Sequence, residues 1–252
     1  MTDVLLGLVG FGIIFLSAAL MGGLAVLRRK SSPAFREIPA FTHLRKAIGR
    51  VVEDGTRLHV SLGRGALITP QSASALAGLT LLGRLAELTS AGDQPPIATS
   101  GDAAMAILSQ DTLHTASQAS AQGTYDPAAG RLTGLTPFSY AAGAMPAIRD
   151  ENISANVLMG NFGVEVALLA EAAERANTFT LAGSDNLAAQ AVLYASAQEP
   201  LIGEEVYAAG AYMDAGPIHS ASLTVQDILR WLIIAAILAG ALFQLLKSVG
   251  IL

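Results

Sequence analysis

The hydrophobic and polar positions of this 252-residue chain fall into three regimes. Val4 to Leu27 is an unbroken run of 24 residues without an ionisable side chain. At about 1.5 Å per residue, a helix of that length reaches across the roughly 30 Å of bilayer hydrocarbon. A second run, Trp231 to Leu246, holds 16 uncharged residues, and 19 when extended back to Ile228 with Arg230 reaching towards the headgroups. That extension puts Trp231 at the interface and Lys247 on the far side. The competing readings are a cleaved signal peptide at the start and a buried or interfacial helix at the end. The start Met1-Thr2-Asp3 is not basic and the first run exceeds a signal core of about 7–15 residues, which favours an uncleaved anchor.

Between the runs the pattern changes to short apolar segments alternating with longer helical ones. Leu58, Val60 and Leu62 alternate with Arg57, His59 and Ser61, the pattern of a half-buried strand. Thr69-Pro70 then starts a helix that runs to about Ser90. The unit recurs: a strand at 96–99 and a helix at 103–120; a strand at 131–136 and a helix at 137–149, interrupted by Gly143 and Pro146; a strand at 156–159 and a helix at 164–177; a strand at 178–182 and a helix at 187–198. A last strand is expected around Glu205 to Tyr212. Alternation of this kind predicts a Rossmann-like α/β domain with a mostly parallel sheet and right-handed crossovers. The expected boundaries are a span at 4–27, a basic linker at 28–55, the α/β domain at 56–222 and a second span at 228–246. Within the linker, Phe41 to Val52 forms a short helix capped by Thr42, placed near headgroups or in solvent.

Charge orients this arrangement. Arg28, Arg29, Lys30, Arg36, Arg45 and Lys46 follow the first run and no basic residue precedes it. Positive flanks stay inside, so the domain is expected on the cytoplasmic side of a bacterial inner membrane, with both termini outside. The net charge of −5 is mild and carries no basic patch for nucleic acid. There are no cysteines, and the lysines are Lys30, Lys46 and Lys247 alone. Thiolate chemistry, a phosphate-loop lysine and a Schiff base are thereby excluded from the domain, and no ATP or GTP hydrolysis is expected.

The segments His59–Gly65 (HVSLGRG), Ala98–Leu113 (ATSGDAAMAILSQDTL), Gly160–Ala176 (GNFGVEVALLAEAAERA) and Ala182–Tyr194 (AGSDNLAAQAVLY) resemble a bacterial membrane-anchored family known as a domain of unknown function. The resemblance spans most of the region between the runs. It implies one domain and brings no activity, ligand or catalytic residue with it.

Four turns hold the candidate chemistry: Gly63-Arg64-Gly65, Ser100-Gly101-Asp102, Gly160 to Gly163 and Gly183-Ser184-Asp185. In an open α/β sheet these lie at the carboxyl ends of the strands, where ligands bind. Arg64, Ser100, Asp102, Asn161, Ser184 and Asp185 are the ligand candidates. Asp102 and Asp185 stand at helix starts, where they repel a phosphate and serve as caps. No G-x-G-x-x-G fingerprint follows a strand and no G-x-S-x-G elbow is present. The histidines are scattered at 43, 59, 114 and 219 without ligand spacing. A metal or catalytic cluster therefore requires Asp102, Asp111, His114 and Asp185 to converge from separate units. No metal and no cofactor is expected.

The leading expectation is a non-enzymatic scaffold or assembly protein that forms a homo-oligomer at the membrane. Its expected partners are the lipid bilayer, further copies of itself and other subunits of a membrane complex, with no nucleic acid. The small-residue pairs Ala18/Gly22, Ala19/Gly23, Ala235/Ala239 and Ala236/Gly240 allow close helix contact, within one chain or between chains. The few charges between Ala103 and Ala147 favour an interface on the domain itself. The alternative is a small-ligand sensor or a hydrolase using the strand-end crevice.

Overall fold

A computed structural model describes residues 2–27, 35–69, 72–119 and 125–248, with side chains from residue 6 onward. Two compact units emerge, one from residues 36–215 and one from the two ends of the chain.

In the first unit six strands form one sheet in the order β3-β2-β1-β4-β5-β6, and every neighbouring pair is parallel. The strands are β1 (Arg57–Gly63), β2 (Ile97–Ser100), β3 (Gly130–Leu132), β4 (Ile153–Asn161), β5 (Phe179–Ser184) and β6 (Glu199–Leu201). The helices of this unit are α2 (Pro39–Glu53), α3 (Ser72–Leu88), α4 (Ala103–Ala119), α5 (Pro137–Asp150), α6 (Val166–Arg175), α7 (Leu187–Ser196) and α8 (Glu205–Tyr212). Leu58, Val60 and Leu62 of β1 join one core with residues of α2, α3, α4 and α8. Leu158 and Ala182 join a second core with α5, α6 and α7 on the opposite face. The order reverses between β1 and β4, the doubly wound topology whose switch point opens a crevice at the strand carboxyl ends.

Several local expectations change in the folded chain. The helix placed in a linker is α2, and Phe41, Leu44, Ile48 and Val51 on its inner side are buried in the core. Their spacing is that of one helical face, and the charges that read as a linker belong to the other face. Burying such side chains contributes about 1.5–3 kcal/mol each, so α2 is part of the domain. Arg36 pairs with Glu205 at 2.6 Å, Arg45 pairs with Asp214 at 2.7 Å, and the Phe41 ring stacks on Tyr212 at 5.0 Å, tying α2 to α8.

The strand expected at 205–212 is the helix α8, and the last strand lies just before it at 199–201. Val206, Ala209 and Met213 recur at helical spacing and are fully buried, which overrides the strand preference of valine and tyrosine. α5 runs on through Gly143 and Pro146. Gly143 has a packing role: a Cβ there would lie 2.1 Å from the Thr133 carbonyl oxygen. Strand β1 is covered on both faces, because His59 and Ser61 lie wholly buried rather than facing water. Pro70, placed at a helix start, lies outside the described residues, and α3 is described from Ser72. Arg28, Arg29 and Lys30, which set the expected orientation, also lie outside them.

In the second unit, α1 (Thr2–Leu27) and α9 (Pro217–Ser248) are both long and apolar enough to cross a membrane. Their apolar stretches are almost wholly exposed, unlike the core helix of a soluble protein. The two helices lie against one another. The small-residue faces do not make that contact: a Cβ added at Gly22, Gly23 or Gly240 would meet nothing within 4 Å.

Candidate functional site

The carboxyl edge of the sheet is built by close backbone approach. Gly63 closes β1 with φ +68°, and a Cβ there would lie 2.3 Å from the Asn161 carbonyl oxygen. At Gly160 a Cβ would lie 2.0 Å from the Leu62 carbonyl oxygen, so β1 and β4 meet here only as glycines. The Arg64 N–H donates to Asn161 O at 2.8 Å and the Gly101 N–H to Gly63 O at 2.8 Å, stitching three turns together.

All six candidate residues stand at this edge, at the ends of β1, β2, β4 and β5 or in the turns that follow, and each has a polar atom engaged within the protein. Ser100 Oγ accepts the Asp102 N–H at 3.1 Å, and Asp102 Oδ1 accepts the Met105 N–H at 3.0 Å, capping α4. Asn161 Nδ2 donates to Asp185 Oδ1 at 2.7 Å. Ser184 Oγ accepts the Phe162 N–H at 3.2 Å and the Asn186 N–H at 3.3 Å. Asp185 does not cap α7. Asn186 does, accepting from the N–H groups of Ala188 and Ala189. Arg64 Nε donates to Glu165 Oε1 at 3.3 Å, and the same oxygen accepts the Gly163 N–H at 2.9 Å. Glu165 is therefore a member of the site, its side chain only 2% exposed. In the sequence it reads only as a favourable charge at a helix start, because its partner lies 101 residues away.

Asp102, Asp111, His114 and Asp185 do not converge. Among the described residues no group of three or more histidine and acidic side chains is placed to hold a metal ion. α4 runs away from the carboxyl edge, so His114 meets Tyr125 ahead of β3, with ring centroids 4.6 Å apart. Among the described residues, the turns after β1, β2, β4 and β5 thus carry Arg64 among three carboxylates, Asp102, Glu165 and Asp185. Such a balance disfavours an anion.

A second polar group lies mid-sheet, under α5. His59 Nδ1 donates to Asn156 Oδ1 at 2.7 Å, and the Thr99 hydroxyl donates to His59 Nε2 at 2.9 Å. Burial lowers the His59 pKa to about 4, outweighing the Asn156 hydrogen bond that raises it, so the ring is neutral at pH 7. The Tyr140 hydroxyl hydrogen-bonds Ser61, Thr99 and the backbone of Gly63, and burial raises its pKa. Asn156 Nδ2 is the buried side-chain atom left without a partner among the described residues. At the amino end of this seam Glu151 pairs with both Arg57 and Arg131, and its pKa is lowered chiefly by the Arg131 hydrogen bond. His59, Ser61, Thr99, Tyr140 and Asn156 are wholly buried, whereas Arg57, Arg131 and Glu151 are part-exposed at the amino end of the seam. Their chemistry is to hold α5 over the polar side of β1.

A family model described as "Domain of unknown function (DUF6754)" matches residues 5–251. The comparisons with curated proteins and with solved structures found no match. Since the family model takes in both apolar helices and the whole α/β unit between them, this chain belongs to the DUF6754 family.

Proposed function

We propose that the chain is a membrane-anchored, non-enzymatic assembly protein, held by two spans in a bacterial inner membrane with its α/β domain in the cytoplasm, whose copies associate side by side. The observation that carries this reading is the open small-residue faces of α1 and α9. The two helices lie together, yet Gly22, Gly23 and Gly240 meet nothing within 4 Å of an added Cβ. In lipid, apolar surface gains little by burial, and close approach at such residues is the main route to helix pairing.

The α/β unit supports the same reading. Leu135, Phe138, Val164 and Leu187 are 57–80% exposed, and all stand near the starts of α5, α6 and α7, at one edge of the sheet. Large apolar side chains gathered at one edge are characteristic of protein contact surfaces. Two side-chain pairs already span the neighbouring crevice, Arg64 with Glu165 and Asn161 with Asp185, which favours a partner protein over a small ligand there. Two anchors per chain confine the copies to one plane and raise their effective concentration. Cross-linking in native membranes, with mass measurement of the full chain in mild detergent, tests the proposal. A ladder of defined multiples is expected, and a strictly monomeric mass by both methods overturns it.

A further inference from the structure

On the sheet face that carries α5, α6 and α7, parallel pairing sets three polar residues in one row. His59 of β1 stands beside Asn156 of β4, and Asn156 beside Thr180 of β5, all three buried. Two residues along, Leu158 and Ala182 belong to the apolar core of that face, so the row marks where the core gives way to a polar interior. At its β5 end the row meets a cavity of about 200 Å³ between the C-terminal ends of α6 and α7, with Ala170, Thr180 and Ala195 in its walls. Glu174, Asn177 and Gln198 also line it and are exposed, so the cavity opens to solvent.

Hydrogen-bond accounting leaves one group in this row without a protein partner. Asn156 Oδ1 accepts from His59 Nδ1 at 2.7 Å, whereas the wholly buried Nδ2 has no partner among the described residues. Turning the amide over leaves the deficit in place: Nδ2 then donates to the ring and Oδ1 goes unpaired. Native interiors rarely leave such a group unpaired, and an internal water supplies the partner where the protein does not. His59 occupies the β1 side of Asn156, and Thr180 stands on the other. Thr180 Oγ1 donates to Thr178 O at 3.2 Å and retains lone pairs with which to accept. Strands about 4.8 Å apart separate the two side chains by roughly what one water spans with two hydrogen bonds. The cavity exceeds the roughly 30 Å³ share of a single water several-fold.

We propose that this cavity binds an ordered water at its inner end, which accepts from Asn156 Nδ2 and donates to Thr180 Oγ1, with further waters joining it to the mouth. The buried amide is thereby paired from solvent without α5 having to open. The site is separate from the strand-end crevice and does not depend on association between copies.

The test uses the full chain in detergent micelles with isotope-labelled asparagine. Magnetisation transfer from water to the Asn156 side-chain amide protons is read in the laboratory and rotating frames, whose signs separate a bound water from proton exchange. A cross-peak with the sign of a long-lived bound water is expected in the wild type. Ala170→Leu fills the cavity from α6 and leaves the Thr180 hydroxyl in place, so a signal relayed through that hydroxyl would persist, whereas the water signal is lost. Ala195→Leu fills the cavity from an exposed position on α7 with the same loss, and decides the matter if Ala170→Leu does not fold. No cross-peak in the wild type, a cross-peak of exchange sign alone, or one that survives filling of the cavity overturns the proposal.

Discussion

Replacing His59 with glutamine should remove most of the acid sensitivity that is specific to the α5 side of the sheet. The ring is fully buried and its pKa falls from 6.5 to about 4, chiefly through desolvation. In the unfolded chain the same histidine takes up a proton near pH 6.5. The unfolded state therefore binds more protons between pH 6.5 and about 4, and stability is lost as pH falls through that window. At about 1.4 kcal/mol per pH unit, the interval amounts to about 3 kcal/mol. His59→Gln keeps hydrogen-bonding atoms beside Asn156 and Thr99 and cannot titrate; its cost at neutral pH is about 1–2 kcal/mol from imperfect pairing. The assay is denaturant unfolding of the full chain in detergent micelles, read by circular dichroism at pH 7.5, 6, 5 and 4. Glu151 and the other carboxylates titrate in both proteins, so the difference between wild type and variant isolates the imidazole. That difference should shrink by about 3 kcal/mol from pH 7.5 to pH 4 and approach zero or reverse. A difference that stays constant with pH would refute the assignment of a buried neutral His59.

Gly78→Ala should destabilise the domain by about 2–3 kcal/mol although alanine is the better helix former, because a Cβ there lies 2.3 Å from the Met159 carbonyl oxygen; thermal unfolding measures it. Asn186→Ala should cost about 1 kcal/mol through the lost cap of α7, whereas Asp185→Ala leaves that cap in place; the same unfolding assay separates them. External protease added to intact cells should leave residues 50–220 uncut, and digestion of the domain in sealed cells would reverse the proposed orientation.

The parallel sheet was legible because β1, β2, β4 and β5 are short apolar runs, each followed by a helical pattern. Period and turn residues are local properties. What depended on distant partners was not. His59 and Ser61 alternate with leucine and valine as water-facing residues do, and only the arrival of α5, which brings Tyr140 to Ser61, covers them. α8 was misread because Val206, Tyr207 and Tyr212 favour strands in isolation, while burial against the first core decides for a helix. The six candidate residues do share one edge of the sheet, since turns that follow parallel strands all fall on the same side. Its pairing was not legible: Glu165 with Arg64 and Asn161 with Asp185 are contacts between separate β-α units.

The central claim is lateral assembly through the open faces of the two apolar helices. Its most direct measurement is the mass of the full chain released into mild detergent, compared with the variant Gly22→Leu, Gly23→Leu, Gly240→Leu. A Cβ added at these positions meets nothing within 4 Å, so the fold of each copy should be little disturbed. The account predicts a defined multiple of the 25.9 kDa chain for the wild type and a shift towards the monomer for the variant. A wild-type mass of one chain, or a multiple that the variant leaves intact, would contradict it.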